Sequence, residues 1–389
     1  MDPSPPDLSI VIVNWNVREL LRRCLESILG SDGLVVGGLD TLRYSTSGEG
    51  LDTLRHSTSG EGLDTLRYST GGEGLDTLRY STSGEGLDTL RHSTSGEGWT
   101  AEVIVVDNAS ADDSVAMLAQ DYPWVRIVAN RDNLGFTRAN NQGLEVSRSR
   151  YVLFLNPDTE LTPAALKLLL AYAETHPQAG VIGPQLRYGD GSLQSSRRRF
   201  PTLATFFLES TVVQRWWPRN QVLTRYYMLD QPDDAIVQVD WIVGACMLVR
   251  RAVLEQIGGF DEGFFMYSEE LDLCRRAVDA GWQVVWLPAA VVTHHEGKSS
   301  EQVVAARHIR FHSSRLRYVR KYHGRLAAAL LRSFLLLTFV YQWLEEAAKW
   351  LAGFVVASQR AQQPMRRDRM VAYAQVLRSR LRFVKPASS

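Results

Sequence analysis

The chain has 389 residues, 45% of them hydrophobic, enough for one large domain with an appendage or for two domains. Basic and acidic residues balance at 43 each, so no global positive field marks nucleic acid as a partner. The three cysteines, Cys24, Cys246 and Cys274, are odd in number and lack CxxC spacing, which argues against a disulfide scaffold or a zinc site and fits a reducing cytoplasm.

Met1 to Asp7 carries no basic segment, and the apolar run Leu8–Val13 is too short for a signal peptide, so the chain is expected to start in a strand. LSIVIVNW (Leu8–Trp15) has the short, branched, apolar character of a buried strand. Asn16 with Glu19 predicts a capped helix that buries Leu20, Leu21, Leu25 and Ile28. AEVIVVDN (Ala101–Asn108) predicts a second buried strand. Ser110 with Asp113 predicts a cap for a short helix ending near Gln120. VRIVAN (Val125–Asn130), a helix over Gly135–Val146 and YVLFLN (Tyr151–Asn156) complete the alternation, and Thr162-Pro163 predicts the start of a further helix.

Strand alternating with helix is the pattern of a parallel sheet covered on both faces, whose ligands gather at the carboxyl ends of the strands. Those ends are rich in Asn and Asp here: Asn14-Trp15-Asn16, Asp107-Asn108, Asn130–Asn133 and Asn156-Pro157-Asp158.

Between Gly38 and Glu97 a twelve-residue unit, GLDTLRYSTSGE, occurs five times with small changes. Two leucines per unit cannot bury enough surface to offset the entropy of ordering, so a flexible insertion is expected over residues 34–98. Residues 301–389 change character again: a basic stretch from Arg307 to Arg332 runs into the apolar segment Leu326–Leu344. An Arg near the middle of that segment disfavours a spanning helix, and the basic flank suits a helix lying at a membrane surface.

Three further features carry chemistry. A carboxylate at a strand end, Asp158, with Asn156 two residues before it, suits Mg²⁺ or Mn²⁺ held together with phosphates. In YSEELDLCRR, Glu269, Glu270 and Asp272 lie in one helical turn. Helical spacing puts Glu269, Asp272 and Arg276 on one face, predicting an ion pair there, and leaves Glu270 free to act as a general base. WLPAAVVTHHEGKSS ends a strand in His294-His295, both imidazoles being potential metal ligands.

In order and spacing these segments resemble family-2 glycosyltransferases, in the rhamnosyltransferase-like branch that builds cell-surface glycans. The matching motifs are SIVIVNWN, VIVVDNASADDS, NLGFTRANNQG, YVLFLNPDTELT, the stretch from VDWIVGACMLVRR to YSEELDLCRR, and HHEGKSS. They cover about residues 8–30 and 99–300.

The resemblance implies an α/β fold of GT-A type: a mostly parallel sheet flanked by helices, here with a repeat insertion and a helical C-terminal appendage. The catalytic domain would comprise residues 1–33 and 99–300. Asp107 would bind the nucleobase with help from Val13, Asn14 and Trp15. Asn133, Gly135 and Asn141 would line the nucleotide pocket. Asp158 would hold the metal, with Asn156 where many relatives have Asp, and with His294 (His295 as the alternative register). Glu270 would be the base, in a place where Asp is common. Gly244, Ala245, Glu269 and Asp272 would lie near the donor sugar and acceptor.

The implied reaction is inverting transfer from a UDP- or dTDP-sugar to a glycan or lipid-linked acceptor, with rhamnose as a plausible cargo. The basic, apolar C-terminal stretch suggests a lipid-linked acceptor at the cytoplasmic face of the plasma membrane, in peripheral membrane contact. The alternative is a catalytically degenerate nucleotide-sugar-binding protein with a repeat-based interaction insert. A nucleotidyltransferase is disfavoured because Asn14-Trp15-Asn16 is no Gly-rich phosphate loop, and a dinucleotide oxidoreductase because no GxGxxG follows Val13 or Val106.

Overall fold

The computed structural model describes residues 5–37, 98–295, 304–355 and 357–381. The repeats Gly38–Glu97, and the HHEGKSS tail beyond His295, lie outside the described residues.

The first half follows the expected alternation. It comprises β1 (Leu8–Asn14), α1 (Arg18–Leu29), β2 (Leu34–Val36), β3 (Trp99–Asp107), α2 (Ser114–Asp121), β4 (Arg126–Ala129), α3 (Phe136–Val146) and β5 (Tyr151–Leu155). β1 and β5 are buried at every position, as befits strands covered on both faces. β3 and β5 flank β1 in parallel, and β4 pairs in parallel with the upper part of β3. Leu34–Val36, assigned by sequence to the insertion, instead pair in parallel with Trp99–Ala101, because an apolar triplet there completes the edge of the sheet.

The second half is mixed. It continues with β6 (Thr159–Leu161), α4 (Ala165–Thr175), β7 (Ala179–Arg187), β8 (Leu193–Gln194), β9 (Arg197–Arg198), α5 (Leu203–Leu208), α6 (Val212–Trp216) and α7 (Gln221–Tyr226). Then follow β10 (Val237–Val239), β11 (Trp241–Ile242), β12 (Cys246–Arg250), α8 (Arg251–Ile257), α9 (Glu269–Asp279) and β13 (Gln283–His294). The main sheet runs β10-β13-β7-β12-β5-β1-β3-β2. β12 is antiparallel to both β5 and β7, whereas β13 runs parallel to β7. A small antiparallel pair, β9 with β11, stands apart.

Three expected helix caps are replaced by longer-range bonds. Asn16 has φ of 53° and accepts the Ala111 N–H through Oδ1, and its own N–H goes to Ser110 Oγ. α1 therefore starts at Arg18, whose N–H donates to Asp112 Oδ2 at 2.8 Å, and Glu19 pairs with Arg18 and Arg22. Ser110 and Asp113 give α2 no side-chain cap, the helix beginning only at Ser114. α4 begins at Ala165, because the Thr162 hydroxyl donates to the Val291 carbonyl and so ties the loop to β13.

The C-terminal region is helical as expected: α10 (Val304–Tyr322), α11 (Gly324–Val355), α12 (Ala357–Arg360) and α13 (Gln363–Ser379). α10 is tied to the sheet domain by polar side chains. Arg315 donates to the carbonyls of Phe206 and Glu209, Arg317 and Lys321 pair with Asp261, and Ser314 donates to the Met266 carbonyl.

Candidate active site

The polar ends of β1 and β3 meet in register, Asn14 opposite Asp107. Asn14 Nδ2 donates to Asp107 Oδ1 at 2.8 Å, and Asp107 Oδ2 accepts the Ser110 N–H at 2.9 Å. Val13 is buried just below, and Trp15 is half-buried beside the pair. Asn14 Oδ1 is buried and has no protein partner.

The loop after β4 is shaped from below by Asn108, a residue to which the sequence assigned no role. Its side chain donates to the Gly135 carbonyl and accepts from Asn130 Nδ2 and the Leu134 N–H. Asn133 Oδ1 accepts the Gly135 N–H at 3.0 Å. Gly135 has φ of +90°, and a Cβ there would stand 2.7 Å from the Phe265 carbonyl oxygen, so the loop requires glycine. Asn141 points elsewhere: it exchanges two hydrogen bonds with the Phe260 backbone and reaches Glu262, joining α3 to the loop ahead of α9.

Asp158 and His294 come together as the sequence suggested. Strand pairing sets His294 opposite Thr159, and Asp158 Oδ1 lies 3.4 Å from His294 Nε2, both side chains being buried. His294 Nδ1 faces Gln194 Oε1 at 3.0 Å. An amide oxygen only accepts, so Nδ1 is the donor in this contact, and Nε2 is the ring atom turned towards the carboxylate. A carboxylate oxygen and an imidazole nitrogen brought together at a buried strand end are donor types that suit a divalent cation. Asn156 Oδ1, at the end of β5, is buried without a partner. Among the described residues, however, no three His, Cys, Asp or Glu side chains converge as a metal cluster. His295 is occupied otherwise, its Nε2 standing 2.8 Å from Glu160 Oε1.

The third group lies across the strand ends. The Asn156 N–H donates to the Ala245 carbonyl, which brings the loop before β12 to the end of β5. The neighbouring Gly244 packs on Glu270, where a Cβ would stand 3.2 Å from that of the glutamate. Glu269 is buried, Glu270 is half-buried, and each keeps one carboxylate oxygen buried and unpartnered. Burial raises the pKa of both; for Glu270 it is opposed by hydrogen bonds from the Leu271 and Gly244 backbone and by the charge of Arg198. Ser268 precedes α9 in left-handed geometry and gives no side-chain cap.

Asp272 has a different set of partners. Its fully buried carboxylate accepts from Arg276 at 2.8 Å, Lys321 at 2.6 Å and Tyr322 at 2.8 Å. The predicted pair with Arg276 is present, and the same carboxylate fastens α10 to α9.

The sequence pattern described as glycosyl transferase family 2 matches residues 85–258, and that of glycosyl transferase family 21 matches residues 233–380. The chain is 35% identical over 223 residues to the N-acetylglucosaminyl-diphospho-decaprenol L-rhamnosyltransferase of Mycobacterium tuberculosis, covering 54% of this chain and 72% of the relative. The chain belongs to glycosyltransferase family 2. As a family-2 glycosyltransferase it is also similar to the rhamnosyltransferase WbbL of Escherichia coli, with 29% identity over 213 residues, 51% of this chain and 75% of that protein. A mannosyltransferase from Pyrobaculum calidifontis, solved with GDP-Man and Mn²⁺, aligns over 96% of this chain and 88% of its own, at 13% identity and a TM-score of 0.46. The expected α/β architecture and the expected enzyme class, glycosyltransferase, are both met.

Proposed function

We propose that this glycosyltransferase transfers a sugar, rhamnose by analogy with its named relatives, from a UDP- or dTDP-sugar to a hydroxyl of a glycan or lipid-linked acceptor, with inversion at the anomeric carbon. The observation that carries the reading is the Glu270 carboxylate, held beside Gly244 with one oxygen free of protein partners. Burial raises its pKa, which brings a carboxylate nearer to the working pH and makes it a better base.

In the proposed reaction Glu270 accepts the proton of the acceptor hydroxyl. That oxygen attacks the anomeric carbon, and the bond to the diphosphate breaks with its electron pair going to the departing nucleoside diphosphate. One displacement inverts the configuration, and no second carboxylate is needed to protonate the leaving group, unlike the paired acids of glycosidases. Asp158 and His294, with Asn156 beside them, would hold Mg²⁺ or Mn²⁺, which would neutralise charge on the diphosphate. Gln194 would orient the His294 ring through Nδ1. Asp107 and Asn14 form the floor on which the nucleobase would rest, and the Asn133–Gly135 turn borders it. The enzyme would work at the cytoplasmic face of the plasma membrane, where a lipid-linked acceptor is accessible.

The test is nucleoside diphosphate release from a panel of UDP- and dTDP-sugars, with and without Mn²⁺ or Mg²⁺, for wild type and Asp158→Ala. Metal-dependent release from one donor, lost in the variant, supports the reading and names the sugar. Donor binding without release from any of them, even with membrane extract as acceptor source, favours the degenerate binding protein instead.

A further inference from the structure

α11 carries its apolar residues on two faces that meet different surroundings. One face, with Ala328, Leu331, Leu335 and Phe339, is buried. It packs against α10 and α13, and Phe334 meets Phe207 of α5 with ring centroids 5.0 Å apart. The other face holds Leu326, Leu330, Leu337, Leu344, Leu351 and Val355, each more than half exposed. These positions recur at helical spacing and define one stripe, which at about 1.5 Å per residue extends over roughly 40 Å. No charged residue interrupts it.

A second element extends the same surface. Trp216 stacks edge-on against Tyr341 of the stripe at 5.6 Å, and Trp216 and Trp217 are 63% and 59% exposed. Arg215 beside them pairs with Glu345, which fixes this corner to α11. Exposed indoles with basic neighbours, here Arg219, are the side chains that suit the boundary between headgroups and acyl chains. Between residues 324 and 380 there are nine Arg or Lys and only three Asp or Glu, a balance complementary to anionic lipid.

We propose that the outer stripe of α11, together with Trp216 and Trp217, is the surface on which this protein lies on an anionic lipid bilayer, with α11 in the plane of the interface. By length and composition α11 could cross a membrane, and most of it is open to its surroundings, but its inner face is committed elsewhere. Glu346 is buried there beside Arg369, and Arg332 donates to the Arg380 carbonyl. Crossing would strip these polar groups of their partners in hydrocarbon and pull α11 from α10, which is ion-paired to the sheet domain at Asp261 and Asp272. Lying in the plane buries the exposed stripe and leaves all of these contacts intact. The inference rests on the proposed location at the membrane face, and because its test reads binding alone, its failure leaves the transfer reaction untouched.

The test is flotation of the full chain with vesicles of phosphatidylcholine containing 30% phosphatidylglycerol, and with phosphatidylcholine alone. Wild type should float with the anionic vesicles. The triple variant Leu330→Glu/Leu337→Glu/Leu344→Glu should lose at least tenfold in bound fraction while keeping its melting temperature, since all three side chains point outward. Trp216→Ala/Trp217→Ala should weaken binding without abolishing it. Three results would overturn the proposal: wild type that stays soluble with both vesicles, a triple variant that floats as wild type does, or wild type that resists alkaline extraction as an integral span would. A soluble dimer that the triple variant splits would instead assign the stripe to a second copy of this chain.

Discussion

His294 Nε2 and Asp158 Oδ1 face each other across 3.4 Å, and Gln194 Oε1 holds the far side of the imidazole at 3.0 Å. A ring so held keeps Nε2 directed at Asp158 without having to rotate. Gln194→Ala should therefore weaken metal activation about 10–100-fold, the usual cost of losing a partner that orients a ligand. His294→Ala should do more. Titration of Mn²⁺ against nucleoside diphosphate release reads both. Equal metal dependence in Gln194→Ala and wild type would remove Gln194 from the site.

The paired glutamates predict a pH dependence of stability. Burial raises the pKa of Glu269 well above its ordinary value, and the charge of Glu270 pushes it in the same direction. The folded state then binds protons more tightly than the unfolded chain, where a glutamate titrates at about 4.3. This contribution is complete below that value and is lost as pH rises through the folded pKa. Glu269→Gln, which is neutral throughout, should raise the melting temperature at pH 8 and leave it unchanged at pH 4. Scans at the two pH values check this; a uniform effect at both would mean that the charge is not the cause.

Asp272 should matter for stability first. It is wholly buried and satisfies Arg276, Lys321 and Tyr322 together. Asp272→Ala leaves Arg276 without its carboxylate and Lys321 with Asp261 alone, and should cost about 3 kcal/mol in chemical denaturation. Asp279→Ala breaks the exposed pair with Arg275 and should cost under about 1 kcal/mol. Comparable losses in the two variants would contradict the distinction.

The edge of the sheet constrains removal of the repeats. β2 and β3 are adjacent and parallel, with Val36 opposite Ala101 and Leu34 opposite Trp99, so the chain leaving β2 must travel back before entering β3. Fusing Gly37 directly to Gly98 gives it no length to do so, since a parallel crossover takes a dozen or more residues. Replacing Gly38–Glu97 by a Gly/Ser linker of about fifteen residues should leave melting temperature and donor binding unchanged. Direct fusion should release β2 and lower the melting temperature. A collapse with the long linker would show the repeats to be structural.

Much of this architecture was legible in the sequence because β1, β5 and the second half of β3 (residues 103–106) are mainly apolar runs closed by Asn14, Asn156 and Asp107, a pattern that burial on both faces imposes. The ion pair Asp272–Arg276 was legible from four-residue spacing. Asn16, Ser110 and Thr162 were misread as local caps because each bonds across the fold, to Ala111, Asn14 and Val291 respectively. Gln194 carries no local mark of its role, since its partner His294 is brought to it only by the pairing of β7 with β8 and β13. Lys321 likewise meets Asp272 only because α10 folds back onto α9.

The account rests most heavily on Glu270 as the base of a single displacement. The most direct measurement is the anomeric configuration of the transferred sugar, read by NMR on the product of wild type, alongside turnover of Glu270→Gln. The account predicts inversion relative to the donor, and a loss of turnover on the order of 10²–10⁴ in the variant with nucleoside diphosphate binding retained. Retention of configuration, or a Glu270→Gln enzyme turning over at the wild-type rate, would contradict it.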